Sequence, residues 1–315
     1  MKHYLSIKNI DSLPDWVSEA RELKENPVAH KALGAGKTIC LLLFNNRLRT
    51  RLSTQKAAMN LGMEVMVMNF GSEGWQLEFE DGAVMDQGKS EHIKEAAKVV
   101  SQFCDIVAIR AFASLNDKEK DEAEVVLNGF EKYASVPVVN MESSAGHPLQ
   151  ALADAITLDE QNKKAKPKVV LSWAPHPKAL PHAVANSFVE MMQLQVADFV
   201  ITHPEGYELD TEITGSASIE YDQEKAFEGA DFVYVKNWSS FNDYGKVLSQ
   251  DPSWLINQDR LKNTNNAKVL HCLPVRRNVV IADDVLDSDS SVVIEEAAYR
   301  EFAAQAVLKE ILENN

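Results

Sequence analysis

The sequence predicts an α/β chain built from two doubly wound parallel-sheet domains, with a C-terminal helix packing back on the first. Three observations carry that prediction. Short apolar runs recur along the chain, and they are continuous rather than alternating, as in strands covered on both faces. Amphipathic helix-like stretches separate them, the β-then-α order of parallel crossovers. The length of 315 residues suits two domains of roughly 100–200 residues each.

In chain order the strand candidates are 38–44, 64–69, 105–110, 137–140, 168–173, 198–202, 231–235, 268–271 and 291–294. Between them lie helix-like stretches such as "EHIKEAAKVVSQF", "EAEVVLNGFEKYA" and "NSFVEMMQLQ". "PLQALADAITLDEQNKKAKPK", from Pro148, reads as a helix running into a Lys-rich link, so a boundary falls within 148–166. The first domain is expected over 1–147 and the second over 148–295. The last segment, 296–315, reads as the amphipathic helix that returns to the first domain. No internal repeat or low-complexity tract interrupts this order.

Composition excludes several function classes. Lys plus Arg is 32 and Asp plus Glu is 47, giving 32 − 47 = −15. That balance opposes a nucleic-acid partner, which needs clustered cations, and an anionic membrane surface. No apolar run approaches the ~20 residues of a membrane span. "MKHYLSIKNIDSLPDW" lacks the apolar centre of a signal peptide. Cys40, Cys104 and Cys272 are odd in number and without CxxC spacing. They fit a reduced, cytoplasmic protein with neither disulfides nor a zinc site. Neither a metal nor a cofactor is expected.

Open parallel sheets bind ligands at the carboxyl ends of their strands. The loops there read "NNRLRTR", "RAFASLND", "MESSAGHPLQ", "WAPHPKALPHA", "THPEGYE", "KNWSSFNDYG" and "HCLPVRRN". Most place His, Arg or Lys at or near the strand end. "GAGKT", from Gly34, imitates a phosphate-binding P-loop, but Lys31 occupies the position of its first Gly and the strand follows rather than precedes it. It reads as a Gly-rich turn. No GxGxxG follows any strand, which disfavours a nicotinamide-dependent oxidoreductase.

"NNRLRTRLST" places Arg47, Arg49 and Arg51 where Asn45 and Asn46 turn the chain out of its first strand. From Arg51 the apolar residues take helical spacing. Basic residues in a first turn oppose the helix dipole, so a solvated surface turn explains them poorly. With the helix-start N–H groups they suit a phosphate.

Here the chain resembles the carbamoyltransferases, whose marks are a Ser-x-Arg-Thr-Arg turn, then His-Pro-x-Gln, then His-Cys-Leu-Pro. This chain carries Leu48-Arg49-Thr50-Arg51, His147-Pro148-Leu149-Gln150 and His271-Cys272-Leu273-Pro274 in that order. "WAPHP", "THPEGYELD", "KAFEGADF" and "HCLPVRRN" are similar to the N-acylornithine branch of that family. One position departs: Arg47 stands where the family has Ser.

The resemblance implies transfer of the carbamoyl group of carbamoyl phosphate to the side-chain amine of N-succinyl-L-ornithine, in arginine biosynthesis. N-acetyl-L-ornithine is the alternative acceptor, and Arg47 leaves open a carbamoyltransferase-like binder with impaired turnover. It implies Arg47, Leu48, Arg49, Thr50, Arg110, His147, Gln150 and Arg300 for carbamoyl phosphate. His147 and Gln150 would meet the carbonyl oxygen and the amide, a preorganised oxyanion site. Trp75, Ser90, Phe112, Glu142, His176, Lys236, Cys272, Leu273 and Arg276 are implied for the acceptor. Cys272, His147 and Arg110 are implied as the catalytic groups, and the Leu273–Pro274 bond is implied to be cis.

Lys236 would repel a free α-ammonium and attract a carboxylate. With Arg276 and His176 it favours an acylated acceptor. The aperiodic segment 71–91 is implied to reach a neighbouring subunit in a homotrimer, with Trp75 capping the acyl group beside Phe112. Before Glu91-His92 the succinyl branch has Pro and the acetyl branch Glu. Ser90 matches neither, and it lacks the charge that would repel a succinyl carboxylate.

Overall fold

The structure, a computed structural model, describes residues 1–45 and 48–315. It divides into two compact units, Met1–Leu149 with Arg300–Asn315, and Gln150–Tyr299.

The first unit holds strands β1 (Thr38–Leu43), β2 (Glu64–Asn69), β3 (Leu77–Glu78), β4 (Glu91–His92), β5 (Ile106–Arg110) and β6 (Val138–Glu142). Its longer helices are α1 (Leu13–Glu25), α2 (Leu48–Asn60), α3 (Ile93–Val100) and α4 (Val125–Tyr133). The main sheet runs β2-β1-β5-β6 and every pairing is parallel. The pattern i, i+3, i+4 of Leu13, Trp16, Val17 and Ala20 buries one face of α1. On one face of the sheet Leu42, Val107 and Val138 pack against Ile93, Ala97 and Phe130 of α3 and α4. Each such large apolar side chain contributes about 1.5–3 kcal/mol by leaving water.

The return from α2 to β2 depends on a glycine. Gly62 has φ +83°, and a Cβ there would lie 2.1 Å from the Lys31 carbonyl oxygen. The "GAGKT" segment is a turn entering β1, as its residues imply.

The second unit holds β7 (Lys168–Trp173), β8 (Asp198–Thr202), β9 (Ser218–Glu220), β10 (Phe232–Lys236) and β11 (Lys268–Leu270). They form a parallel sheet ordered β11-β10-β7-β8-β9. Helices α5 (Pro148–Gln161) and α6 (Ala183–Met192) are its longest wholly or mostly internal ones. Val170, Val233 and Val269 bury against Phe227, Ile256 and Leu261.

Helix α7 (Val293–Asn314) closes the chain, and its residues from Arg300 onward cluster with the first unit. Asn60 at the end of α2 donates from Nδ2 to Glu301 Oε1 at 2.8 Å and Gln305 Oε1 at 2.9 Å, tying the two helices.

Several expectations need correction. The strand expected at 291–294 is absent: Ser291 makes one bridge to Val269 and α7 begins at Val293. Three β-branched residues suggested a strand, but Glu295 and Glu296 complement the positive end of a helix there. Helix α7 is not a one-sided amphipathic helix, because residues 303–308 are all buried. Helix α7 begins at Val293 rather than at residue 296, so Arg300 lies well inside it. Helix α2 begins at Leu48, so Arg49 and Thr50 belong to its first turn rather than to the preceding loop.

Segment 71–91 is not structureless. Leu77–Glu78 and Glu91–His92 pair in parallel. The Glu78 carboxyl accepts from the backbone N–H of Glu80 and from Lys89, contacts that hold its pKa at about 2. Among the described residues no helix is long and apolar enough to cross a membrane.

Candidate active site

In each sheet the candidate residues gather where the strand order reverses. In the first unit β2 lies on one side of β1 and β5 on the other, so β1/β5 is the switch point. The chain leaves β1 into α2, and β5 ends on Arg110. Asn45 links the two exits. Its Oδ1 accepts from the Phe112 N–H at 2.7 Å, and its carbonyl accepts from Arg110 Nη1 at 2.9 Å.

Arg110 is 0% exposed. Its Nε and Nη2 both donate to Glu142 Oε2, at 2.9 and 2.7 Å. Burial pushes the Glu142 carboxyl up, but His147, Arg110 and Arg300 bring it back below the ordinary carboxylate value. Glu142 is therefore ionised at neutral pH. The resemblance assigns this residue to the acceptor; in the structure its Oε2 is the counter-ion of Arg110. Strand β6 pairs directly with β5 and sets Glu142 opposite Arg110.

Arg300, from α7, donates from Nη2 to Thr50 Oγ1 at 2.6 Å and lies 3.2 Å from His147 Nε2. A guanidinium only donates, so Nε2 offers its lone pair and the ring proton sits on Nδ1. A doubly protonated His147 would also lower Glu142, but it would set Nε2–H against that donor. The hydrogen bond favours the neutral ring, and Arg110 and Arg300 lower Glu142 in either state of the ring. Because Thr50 Oγ1 already accepts, its own hydroxyl hydrogen is directed elsewhere. Arg49 precedes Thr50 in a first helical turn without any acid. Arg110 and Arg300 act on the Glu142 carboxylate, and Arg49 adds a further positive charge beside Thr50, a cationic excess suited to an anion.

In the second unit the switch point is β7/β10. His176 follows β7, and Lys236 ends β10 opposite Trp173. The expected strand stops at Val235, but the observed one includes Lys236, which is only 7% exposed. A solvated strand-end lysine is thereby excluded. Its Nζ donates to the Asn237 carbonyl at 2.8 Å. Arg276 Nε donates to His176 Nε2 at 3.1 Å, and His176 Nδ1 lies 2.8 Å from the Lys178 carbonyl. The His176 proton is therefore on Nδ1. Burial first, then Lys236, Arg276 and Lys178, lower its pKa from the ordinary histidine value, while the Lys178 carbonyl opposes them. The ring stays neutral between cations.

Cys272 is a buried cysteine outside any disulfide, just beyond β11. Leu273 takes φ +54°, its N–H donates to His271 Nδ1 at 2.8 Å, and the Leu273–Pro274 bond is cis. Gln150, in the first turn of α5, donates from Nε2 to Asp154 Oδ1 at 2.7 Å and to Glu296 Oε1 at 3.0 Å.

The remaining candidates are peripheral within the described chain. Leu48 and Trp75 are exposed, and Trp75 Nε1 donates to Glu91 Oε2 at 2.8 Å. Ser90 is exposed and its N–H donates to the Gln76 carbonyl at 3.0 Å. The Phe112 ring lies 5.3 Å from the Arg110 guanidinium carbon. Arg47 lies outside the described residues. Asp154 and Glu296 escaped sequence reasoning, and Asn45 was read only as a turn residue. Asp154 stands at i+4 from Gln150, a spacing that could have exposed it. Glu296 is 146 positions from Gln150, and nothing local announces it.

Comparison with known proteins agrees across both units. Residues 2–160 match the family model for the aspartate/ornithine carbamoyltransferase carbamoyl-P binding domain, and residues 181–311 that for the Asp/Orn binding domain. The chain is 49% identical to the N-succinylornithine carbamoyltransferase of Bacteroides fragilis (strain 638R), over 100% of this chain and 99% of the relative. It is 35% identical to the N-acetylornithine carbamoyltransferase of Xanthomonas axonopodis pv. citri (strain 306), over 98% of this chain and 96% of the relative. A solved point mutant of N-acetyl-L-ornithine transcarbamylase, complexed with carbamyl phosphate and N-succinyl-L-norvaline, superposes with a TM-score of 0.93 at 33% identity. That match covers 99% of this chain and 100% of the other. With both family models matched in order and full-length relatives at this identity, the chain belongs to the aspartate/ornithine carbamoyltransferase family.

Proposed function

We propose that the protein transfers the carbamoyl group of carbamoyl phosphate to the side-chain amine of N-succinyl-L-ornithine, giving N-succinyl-L-citrulline and phosphate, within arginine biosynthesis in the cytoplasm. One observation carries the acceptor assignment: β10 ends on a buried lysine, with Arg276 and a neutral His176 at the same end of the sheet. A free α-ammonium is disfavoured by such a wall. An acylated α-nitrogen is uncharged, and a succinyl group adds a carboxylate for the cations.

The chemistry follows from charge. The phosphate rests on Arg49, Thr50 and the N–H groups opening α2, with Arg300 behind Thr50. Arg110, held by Glu142, offers its positive charge to the phosphate and the carbonyl, and His147 contributes an N–H donor. The neutral side-chain amine of the acceptor forms a C–N bond to the carbonyl carbon. The carbonyl oxygen takes negative charge, which the cations stabilise. The C–O bond to phosphate then breaks, and the amine's extra proton leaves with the phosphate. Cys272 and the Leu273 carbonyl receive the attacking amine.

Ser90 supports the succinyl reading because it carries no charge. Solved relatives in which a glutamate is replaced by alanine, valine or proline are described with N-succinyl-L-norvaline, the same direction of change. A homotrimer fits the exposed Trp75, Val84 and Met85 of segment 71–91, apolar surface suited to a neighbouring subunit.

The test is an acceptor panel with carbamoyl phosphate and N-succinylornithine, N-acetylornithine or ornithine. The succinyl acceptor is expected to give the highest kcat/KM. Turnover of free ornithine alone overturns the reading. Binding of carbamoyl phosphate without turnover, recovered by Arg47→Ser, establishes the impaired-binder alternative.

A further inference from the structure

We propose that Asp154 and Glu296 act as positioning residues, locking the Gln150 amide so that it selects a phosphorylated donor whose carbonyl bears an NH2 group. The proposal rests on the carbamoyl phosphate reading above and adds the device that enforces it.

Gln150 is 1% exposed, and Asp154 and Glu296 are 0% exposed. Both hydrogen-bonding directions of the Gln150 NH2 are committed, to Asp154 Oδ1 at 2.7 Å and to Glu296 Oε1 at 3.0 Å. Turning the amide over would set its oxygen against two carboxylate oxygens at those distances, so a single orientation survives. The amide oxygen is buried and makes no hydrogen bond among the described residues. A buried acceptor left without a donor is costly. It calls for an N–H from a ligand, and it stands three residues after His147 at the start of α5. The carbamoyl NH2 supplies such a donor, whereas the methyl group of an acyl phosphate such as acetyl phosphate does not.

The two carboxylates are themselves anchored. Glu296 Oε2 accepts from the His271 N–H at 2.7 Å, so one side chain sets both the Gln150 amide and the strand end that carries Cys272. Asp154 faces the Tyr234 phenol, which burial keeps protonated.

The experiment compares two non-hydrolysable probes by calorimetry on the whole protein. Phosphonoacetamide carries the NH2 group, and 2-oxopropylphosphonate carries CH3 in its place. The wild-type protein should prefer the amide by about 100-fold, as buried polar groups do when they reject an analogue lacking their partner. Asp154→Leu and Glu296→Leu each remove an acceptor of the Gln150 NH2 group and free the amide to rotate. In variants shown to be folded by thermal melting, the preference should fall to ~3-fold or less through weaker amide binding, with the methyl probe unchanged. Gln150→Met, which removes the acceptor itself, should give the same collapse. A purely structural role would weaken both probes alike. Any folded variant that keeps the wild-type ratio overturns the proposal. Wild-type protein that binds neither probe overturns instead the carbamoyl phosphate reading on which it rests.

Discussion

Replacing Arg110 by leucine is expected to abolish most activity and to destabilise the first unit together. The side chain has no exposure, and Glu142 takes two of its N–H donors. Without the guanidinium, Glu142 is left as a buried carboxylate beside an apolar residue. Breaking one side of a buried pair costs about 3–5 kcal/mol, which urea unfolding would register. Loss of a charge-stabilising donor lowers kcat by about 10²–10³. The double variant Arg110→Leu with Glu142→Leu separates the two effects. It removes the stranded charge, so most of the stability should return while activity stays lost. Stability that stays low in the double variant would mean that Arg110 acts mainly through packing or through the Asn45 carbonyl. Arg110→Lys should not rescue activity, because a lysine cannot reproduce two parallel donations to Glu142 with a third to Asn45.

Lys236→Met is expected to lower kcat/KM for the acceptor by roughly 10–100-fold and to leave the KM for carbamoyl phosphate within about twofold. The estimate corresponds to one charge-assisted hydrogen bond of about 1.5–3 kcal/mol. Steady-state kinetics with each substrate varied in turn measures both. Lys236→Glu goes further by reversing the charge at the end of β10. It should reject N-succinylornithine and raise the relative rate with free ornithine. An equal loss for every acceptor would assign Lys236 to scaffolding through its Asn237 contact.

How legible this molecule was depends on where its determinants lie. Strands β1, β5, β7 and β10 follow continuous apolar runs because both faces of a parallel sheet are covered there, whereas β2, at a sheet edge, alternates exposed and half-buried residues although its sequence is apolar. Strands β3, β4 and β9 are two or three residues long, too short to display a period. The run at 291–294 reads as a strand from its β-branched residues, but tertiary context and two acids at a helix start outweighed them. The arginines of "NNRLRTR" stood out in the sequence as a candidate anion site because basic residues in a first turn oppose the helix dipole. The burial of Lys236 was not visible, since it depends on what packs over the end of β10. Nor was the partner of Glu142, because strand order sets it and no local pattern encodes that order. His147, Gln150 and Cys272 stood out as motifs. The carboxylates that orient Gln150 did not, since one of them arrives from α7.

The most direct test of the central claim is a crystal of the protein soaked with phosphonoacetamide. The phosphonate should lie within hydrogen-bonding distance of the Arg49 guanidinium, the Thr50 hydroxyl and the N–H groups opening α2, with its carbonyl toward Arg110 and His147. A crystal that leaves this place empty, with those side chains turned to solvent and the ligand bound elsewhere, would contradict the account.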